Sequence, residues 1–378
     1  MALTNLATET QELKLWAKEV MRVARKKSEI EKFVGSGEDA MVQKVTELRT
    51  DVKGTKAIIT LVPNLNASPV VGDATLTGNE ASLVGYDQEI VIDQVRQGLK
   101  SAGRMTDKKS ILNFRKTARN ALGQWLSEMI DTMAFLKLSS LPYTRKLDGG
   151  TYSGSAGYRL QDLAFANAGG TVPTGRRVVS LQGSAGSAPV WQSGFAATGT
   201  LRKLTYADVV NLKAIAKEEG IKPVYKEGVG DLYYLFVTPT GMSQLKLDAD
   251  FIANVRHAGI RGDKNSLFAG TTSYVMVDGV MVIESFYVFH TRGVASPNKM
   301  GSAGTQEGQR ALLCGAQALG YCDLGDPMWD EADVTDYGNQ PGIGISKILG
   351  FEKFKFKGSW SDAANLQDYG VICVDTAL

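Results

Sequence analysis

The side chains that most often do chemistry are sparse in this chain of 378 residues, which holds two histidines, His257 and His290, and three cysteines, Cys314, Cys322 and Cys373. Neither histidine has a second His or a Cys close by, so a zinc site would have to be assembled from distant segments. The cysteines lack C-x-x-C spacing and are odd in number, which points to free thiols of a protein made in a reducing cytoplasm. Asp248 with Asp250, and Asp330 with Glu331 and Asp333, are dense enough to hold a cation through oxygen ligands or to serve a carboxylate-dependent hydrolase. A solvated loop accounts for the same pattern. Gly228-Val229-Gly230 and Gly342-Ile343-Gly344 begin a dinucleotide fingerprint without completing it, and both read as turns. No phosphate loop, nucleophile elbow or H-E-x-x-H pair is present. Arg261-Gly262-Asp263 matches an adhesion tripeptide that three residues reach by chance. The basic run Arg22, Arg25, Lys26 and Lys27 has the chemistry to touch phosphate, or to form the wet face of a helix. These residues name no catalytic site, cofactor or metal.

The totals fit that silence. With 42 Lys plus Arg against 40 Asp plus Glu, the net charge is +2, which gives no electrostatic reason to expect tight nucleic-acid binding. Hydrophobic residues at 43% and charged residues at 22% suit a folded protein with room for one large or two modest domains. The first residues lack the charged-then-apolar order of an export signal and no apolar run approaches the length of a membrane span, so no membrane partner is expected.

The elements are more informative than the chemistry. The stretch Thr106 to Leu138 places Ile111, Phe114, Ala118, Ala121, Leu122, Trp125, Met129, Met133 and Leu136 in steps of three and four, predicting a long helix capped by Thr106 and stopped by Pro142. Before it, Leu13, Trp16, Val20, Val23, Ile30 and Val34 mark an arm helix that packs on its own body or on a neighbour, and the glycine-rich GSGED from residue 35 ends it. Between the two, KAIITLVPNL and LVGYDQEIVIDQVRQGLK flank a Pro/Gly-rich tip and predict an extended hairpin too thin to be stable by itself. Residues 147 to 199 are rich in Gly, Ser, Ala and Thr and read as an insertion lying on a surface. Beyond it come a helix with a capping box at Thr205 and Asp208, a buried strand DLYYLFVTP, short helices in PTGMSQLKLDADFIANVRHAG, and a hairpin turning at Asp278-Gly279. Gln309 to Leu319 is helix-compatible, FEKFKFKG alternates, and DYGVICVDTAL closes the chain as a strand. Mixed order without a βαβ repeat indicates an α+β fold.

The order of arm helix, long hairpin, long helix, mixed body and terminal strand resembles the major capsid proteins of tailed bacteriophages, with their Hong Kong 97-type fold. KLWAKEVMRVARKKSEIEKFVG, TLTGNEASLVGYDQEIVIDQVRQG, ARNALGQWLSEMID and ILGFEKFKF are similar to the capsid family of the podovirus called N-four. The resemblance implies an N-terminal arm at 1–53, an extended hairpin loop at 54–103, and a spine helix of a peripheral domain at 104–141. It leaves a glycine-rich insertion or loop at 142–204, an axial domain at 205–345, and terminal strands of the peripheral domain at 346–378. It further implies a non-enzymatic structural subunit that assembles with copies of itself, as hexamers and pentamers, into an icosahedral virion shell around double-stranded DNA. The DNA would be enclosed without sequence-specific binding. A portal, scaffolding or cement protein would be a further partner. Trp16, Arg22, Pro69, Gly78, Asn79 and Glu80 are the residues expected to touch neighbouring copies, because arm and hairpin have little core of their own.

Overall fold

A computed structural model describes residues 9–46, 54–61, 68–80, 85–109, 113–166, 177–184, 189–191, 199–226, 230–258, 274–301, 303–332, 339–358 and 362–378. The chain opens with α1 (Glu9–Lys27), a single 3-10 turn (Ile30–Phe33), and two short strands, β1 (Val34–Gly35) and β2 (Val42–Val45). β3 (Lys56–Leu61), β4 (Tyr86–Val91) and β5 (Asp93–Lys100) follow, then α2 (Arg104–Lys109) and α3 (Phe114–Leu138). The middle holds β6 (Val178–Ser180), β7 (Val190–Trp191), α4 (Tyr206–Glu218), β8 (Val224–Lys226), β9 (Gly230–Val237), α5 (Pro239–Lys246) and α6 (Ala249–Ala258). β10 (Tyr274–Val277), β11 (Val280–Glu284), β12 (Gly308–Cys314), β13 (Leu319–Asp323) and β14 (Met328–Ala332) come next. β15 (Gly342–Glu352), β16 (Lys355–Gly358), β17 (Asp362–Asp368) and β18 (Val371–Ala377) end the chain.

Two sheets share one core. The first runs β1-β2-β13-β15-β14 with β5 also on β15, and the second runs β10-β11-β9-β12-β18-β6-β7 with β8 also on β9. The central strands of the second sheet, β9, β12 and β18, are buried along nearly their whole length because both faces are covered. Leu232, Tyr234 and Phe236 of β9 enter the core shared with α1, α3 and the first sheet, while Tyr233, Leu235 and Val237 enter a second core. Val209 and Leu212 of α4, Met242 and Leu245 of α5 and Phe251 of α6 line that second core. A strand buried on both faces loses the polar alternation that identifies a half-exposed one.

The helices show why burial changes along them. α3 begins one face at a time, with Ala118, Leu122 and Leu126 buried while Thr117, Asn120 and Gln124 are exposed. From Ile130 to Leu141 every residue is buried. α1 lies parallel to α3, so Glu19 meets Arg119 at 3.5 Å and Lys27 meets Gln124 at 3.1 Å. Gly123 permits this approach, since a Cβ there would sit 3.1 Å from Val23 Cγ1.

Several expectations are corrected. The long helix is divided: α2 ends at Lys109, and α3 starts after Asn113, whose side chain accepts from Lys116 N, so Asn113 and not Thr106 caps it. Ile111 lies outside the described residues. Gln309 to Leu319 is not helical but holds β12 and the start of β13, because a short apolar run buried on both faces carries no period to tell strand from helix. Gly342-Ile343-Gly344 is strand in β15 and not a turn. The glycine-rich stretch is more than a surface loop, since Phe165, Val178, Val179 and Leu181 are buried and β6 pairs with β18. The 1–53 segment includes β2, which pairs with β13 inside the first sheet. The last strand, β18, sits beside β12 in the second sheet, while β13 and β14, from within 205–345, flank β15 in the first. Each sheet thus draws on chain segments from both sides of the expected boundary at 345. The helix capped by Thr205 and Asp208, the strand β9, the pair α5 and α6, and the turn at Asp278-Gly279 stand where the sequence places them.

Candidate assembly interface

The hairpin predicted from sequence has an anchored base and, among the described residues, an exposed tip. β3 and β4 pair antiparallel from Lys56 against Val91 to Leu61 against Tyr86, a paired length of about 20 Å at the usual rise per residue. At the base, Ala57 and Ile90 join Val45 and Cys322 in a small buried cluster. Gln88 holds the C-terminal segment twice, its Nε2 donating to Lys353 O at 2.5 Å and its Oε1 accepting from Lys355 N at 2.7 Å. Gly350 lets β15 come close, because a Cβ there would lie 2.3 Å from Val91 O. The strand after the hairpin is therefore split at Ile92, with β4 staying in the hairpin and β5 passing onto β15.

Of the tip, residues 68–80 are described, and none of them is buried. Its internal bonds are local: Asn79 N donates to Leu76 O at 2.9 Å, Asn79 Nδ2 to Thr75 O at 2.9 Å, and Gly78 N to a Glu80 carboxylate oxygen at 2.7 Å. Gly78 has φ +91, a left-handed conformation that a side chain would strain. Val71 at 78% and Leu76 at 61% exposure stand in water. Pro69, Gly78, Asn79 and Glu80 are all exposed on this segment. Arg22 is apart from them on the solvent face of α1, 3.2 Å from Glu19. Trp16 falls within α1, and its side chain lies outside the described residues.

The body that carries this hairpin is fastened at the C-terminal end of α3. Arg310 and Asp375, opposite one another on β12 and β18, form a bidentate pair at 2.8 Å and 2.8 Å, and Arg310 Nη1 donates to Ser139 O at 3.2 Å. Burial works against the guanidinium charge, but the Asp375 carboxylate outweighs it and holds Arg310 above its ordinary range. Lys353 reaches Asp368 at 2.6 Å and also donates to Ser140 Oγ. Lys137 reaches Glu352 at 2.7 Å and Phe165 O at 2.9 Å. Burial pulls the Lys137 ammonium below its usual value, with Glu352 opposing. Cations therefore crowd the negative end of the helix dipole.

The other joint is at the end of α1. The Asp131 carboxylate of α3 accepts from Ser28 Oγ at 2.6 Å, Glu29 N at 2.9 Å and Ile30 N at 3.1 Å. Burial raises its pKa although these three donors oppose the rise. Glu29 in turn accepts from Ser285 Oγ at 2.5 Å, tying the joint to the end of β11, and burial raises its pKa too. Asp131 is the only acidic residue from Ile130 to Leu138, a signal in sequence that could have marked this joint. Beside α3, a cleft of about 450 Å³ is floored by Trp125 and Met129 and walled by β5 at Arg96 and by Tyr158 and Leu160. Trp125 is half-buried at its edge, with Leu122, Leu126 and Ile130 forming the centre of the seam.

The residues offered for catalysis do other work or lie elsewhere. Asp248 accepts from Tyr206 N at 2.6 Å, and Glu331 pairs with Arg115 and accepts from Trp329 Nε1 at 2.9 Å. His290 is half-buried, its pKa lowered by burial and by Arg292. The His257 side chain, Asp333 and the Arg261-Gly262-Asp263 tripeptide are outside the described residues. Cys314, Cys322 and Cys373 are buried free thiols, and burial pushes Cys373 up to about 11.

The comparisons with known proteins decide what this architecture is. The family model for phage capsid protein matches residues 5–378. The chain belongs to that family. It is 40% identical over 375 residues to the major capsid protein of Pseudomonas phage KPP25, covering 99% of this chain and 97% of that one. Among solved structures, the capsid of Ralstonia phage GP4 matches with TM-score 0.71 and 25% identity over 93% of this chain and 92% of that one. The cyanophage Pam1 capsid matches with TM-score 0.68 and 19% identity over the same shares, 93% and 92%, which speaks to the fold alone. The capsid protein thus has the α+β, Hong Kong 97-type fold and a structural role in the shell of a phage particle. It assembles with copies of itself.

Proposed function

We propose that the hairpin tip, Pro69 with Gly78, Asn79 and Glu80, is the surface through which neighbouring subunits meet. The observation that carries this is the contrast within the hairpin, where a base pinned by Gln88 and Ile90 holds out a tip exposing Val71 and Leu76. Apolar groups exposed in this way gain free energy from a partner, at roughly 25 cal/mol per Å² of apolar area removed from water. A closed lattice repeats that gain at every subunit. On this reading the chain does no catalysis, is made in the host cytoplasm, and forms hexamers and pentamers that enclose DNA without reading its sequence. Residues 54–103 act as the extended loop and 104–141 as the spine, with a portal and a scaffolding or cement protein as further partners. Hydrogen–deuterium exchange on unassembled subunits and on purified particles tests the interface. Amides of residues 68–80 should become markedly slower to exchange in particles, while those of α4 stay unchanged. Equal exchange of the tip in the two states would overturn the assignment.

A further inference from the structure

The positive charge of this nearly neutral chain is not spread evenly. On α1, Lys18, Arg22 and Arg25 stand at i, i+4 and i+7, one row along the exposed side of the helix. Arg22 is 72% and Arg25 48% exposed. Lys44 of β2 continues the row, since Arg25 and Lys44 approach the same carboxylate, Asp323, at 3.7 Å and 3.5 Å. That carboxylate is already matched, because the buried Lys347 holds it at 2.5 Å. Glu19 is likewise shared between Arg22 at 3.2 Å and Arg119 at 3.5 Å, and Lys27 sits on the neutral amide of Gln124. Among the described residues, Glu31 also faces Arg25, Lys44 and Lys347. Among the described residues the cations of this side therefore outnumber the carboxylates facing them. The opposite holds on the hairpin tip, where residues 62–85 carry Asp73 and Glu80 and no basic residue.

A row of exposed cations with too few counter-charges, on a helix otherwise sealed to its own body, fits a repeating polyanion better than a shaped protein pocket. We propose that the exposed row Lys18, Arg22 and Arg25, extended by Lys44, is the face of the subunit that meets the phosphate backbone of double-stranded DNA. The contact is sequence-independent, since a row of cations meets phosphates and not base edges, and its strength comes from released counterions. It rests on the shell reading and assigns to that shell which side of α1 faces the DNA.

The test compares the full-length unassembled subunit with Lys18→Gln/Arg22→Gln/Arg25→Gln, titrating each into a short fluorescent duplex at several salt concentrations. Removing three phosphate contacts should make the slope of log affinity against log salt shallower by about 2.7, at roughly 0.9 per contact. Two duplexes of unrelated sequence should bind the parent alike. The charge-keeping variant Lys18→Arg/Arg22→Lys/Arg25→Lys should retain the parental slope. An unchanged slope in the glutamine variant would overturn the proposal, as would an equal loss in the charge-keeping one. A glutamine variant that keeps the slope yet no longer forms particles would give the row to the acidic surface of a second copy. Electron microscopy of the parent checks the shell reading separately, since particles can form whether or not α1 binds DNA.

Discussion

At the C-terminal end of α3 every residue from Ile130 to Leu141 is buried, and Lys137, Arg310 and Lys353 each hold a carboxylate beside it. At the hairpin tip no residue from Ser68 to Glu80 is buried, and its described polar contacts stay within the tip. The two regions belong to one chain and answer to different partners. The spine end is satisfied by the subunit itself, so its energy appears in folding. Among the described residues the tip's hydrogen bonds stay within itself, so on the proposed reading its energy appears in assembly. A shell protein needs both, a body rigid enough to transmit position and a projection with no use for itself.

Breaking the spine end should show the largest effect on the isolated subunit. Arg310→Leu strips the buried Asp375 of its bidentate cation and Ser139 O of a donor, and should cost about 3–5 kcal/mol in urea unfolding. A loss below about 1 kcal/mol would mean that the pair is dispensable to the core. Gly123→Leu attacks the seam between α1 and α3, where even a Cβ meets Val23 Cγ1 at 3.1 Å. About 1–3 kcal/mol should be lost, and limited proteolysis should cut after α1 where the parent resists. Smaller still is the titration of Asp131, whose folded pKa lies above its unfolded value because of burial. A raised carboxyl favours the folded state fully below about pH 3.9 and loses that contribution as pH rises through the folded value. The stability difference between the parent and Asp131→Asn should therefore move against the parent from about pH 4 to pH 7. A difference that moves in the parent's favour would contradict the assignment.

How far the sequence foretold this depended on how each element is exposed. Helix α4 was legible because its cap, Thr205 with Asp208, and its stop at Gly220 are local chemistry. The hairpin of β10 and β11 was legible for the same reason, Asp278 and Gly279 both taking positive φ. β12 was not, since Ala311 and Leu313 face one core while Leu312 and Cys314 face another, leaving no alternation to read. The break between α2 and α3 was hidden by an apolar stripe that runs through it, and only Asn113 as a cap betrays it. The role of β6 escaped because its pairing with β18 joins residues nearly two hundred positions apart. Of the candidate interface, the Pro/Gly-rich tip was plain from composition. Asp131 stood out as an acid in an apolar helix half, but its partners, like that of Arg310, lie far away in sequence and could not be read from it.

The central claim is that the hairpin tip serves assembly and not folding. Replacing residues 66–78 with a short Gly/Ser turn removes Val71 and Leu76 but leaves the base at Ala57, Gln88 and Ile90 intact. The variant should keep parental secondary structure and melt within a few degrees of the parent. In sedimentation velocity and electron microscopy it should remain as single subunits or small oligomers under conditions where the parent forms closed particles. Normal closed particles from the variant would contradict the account.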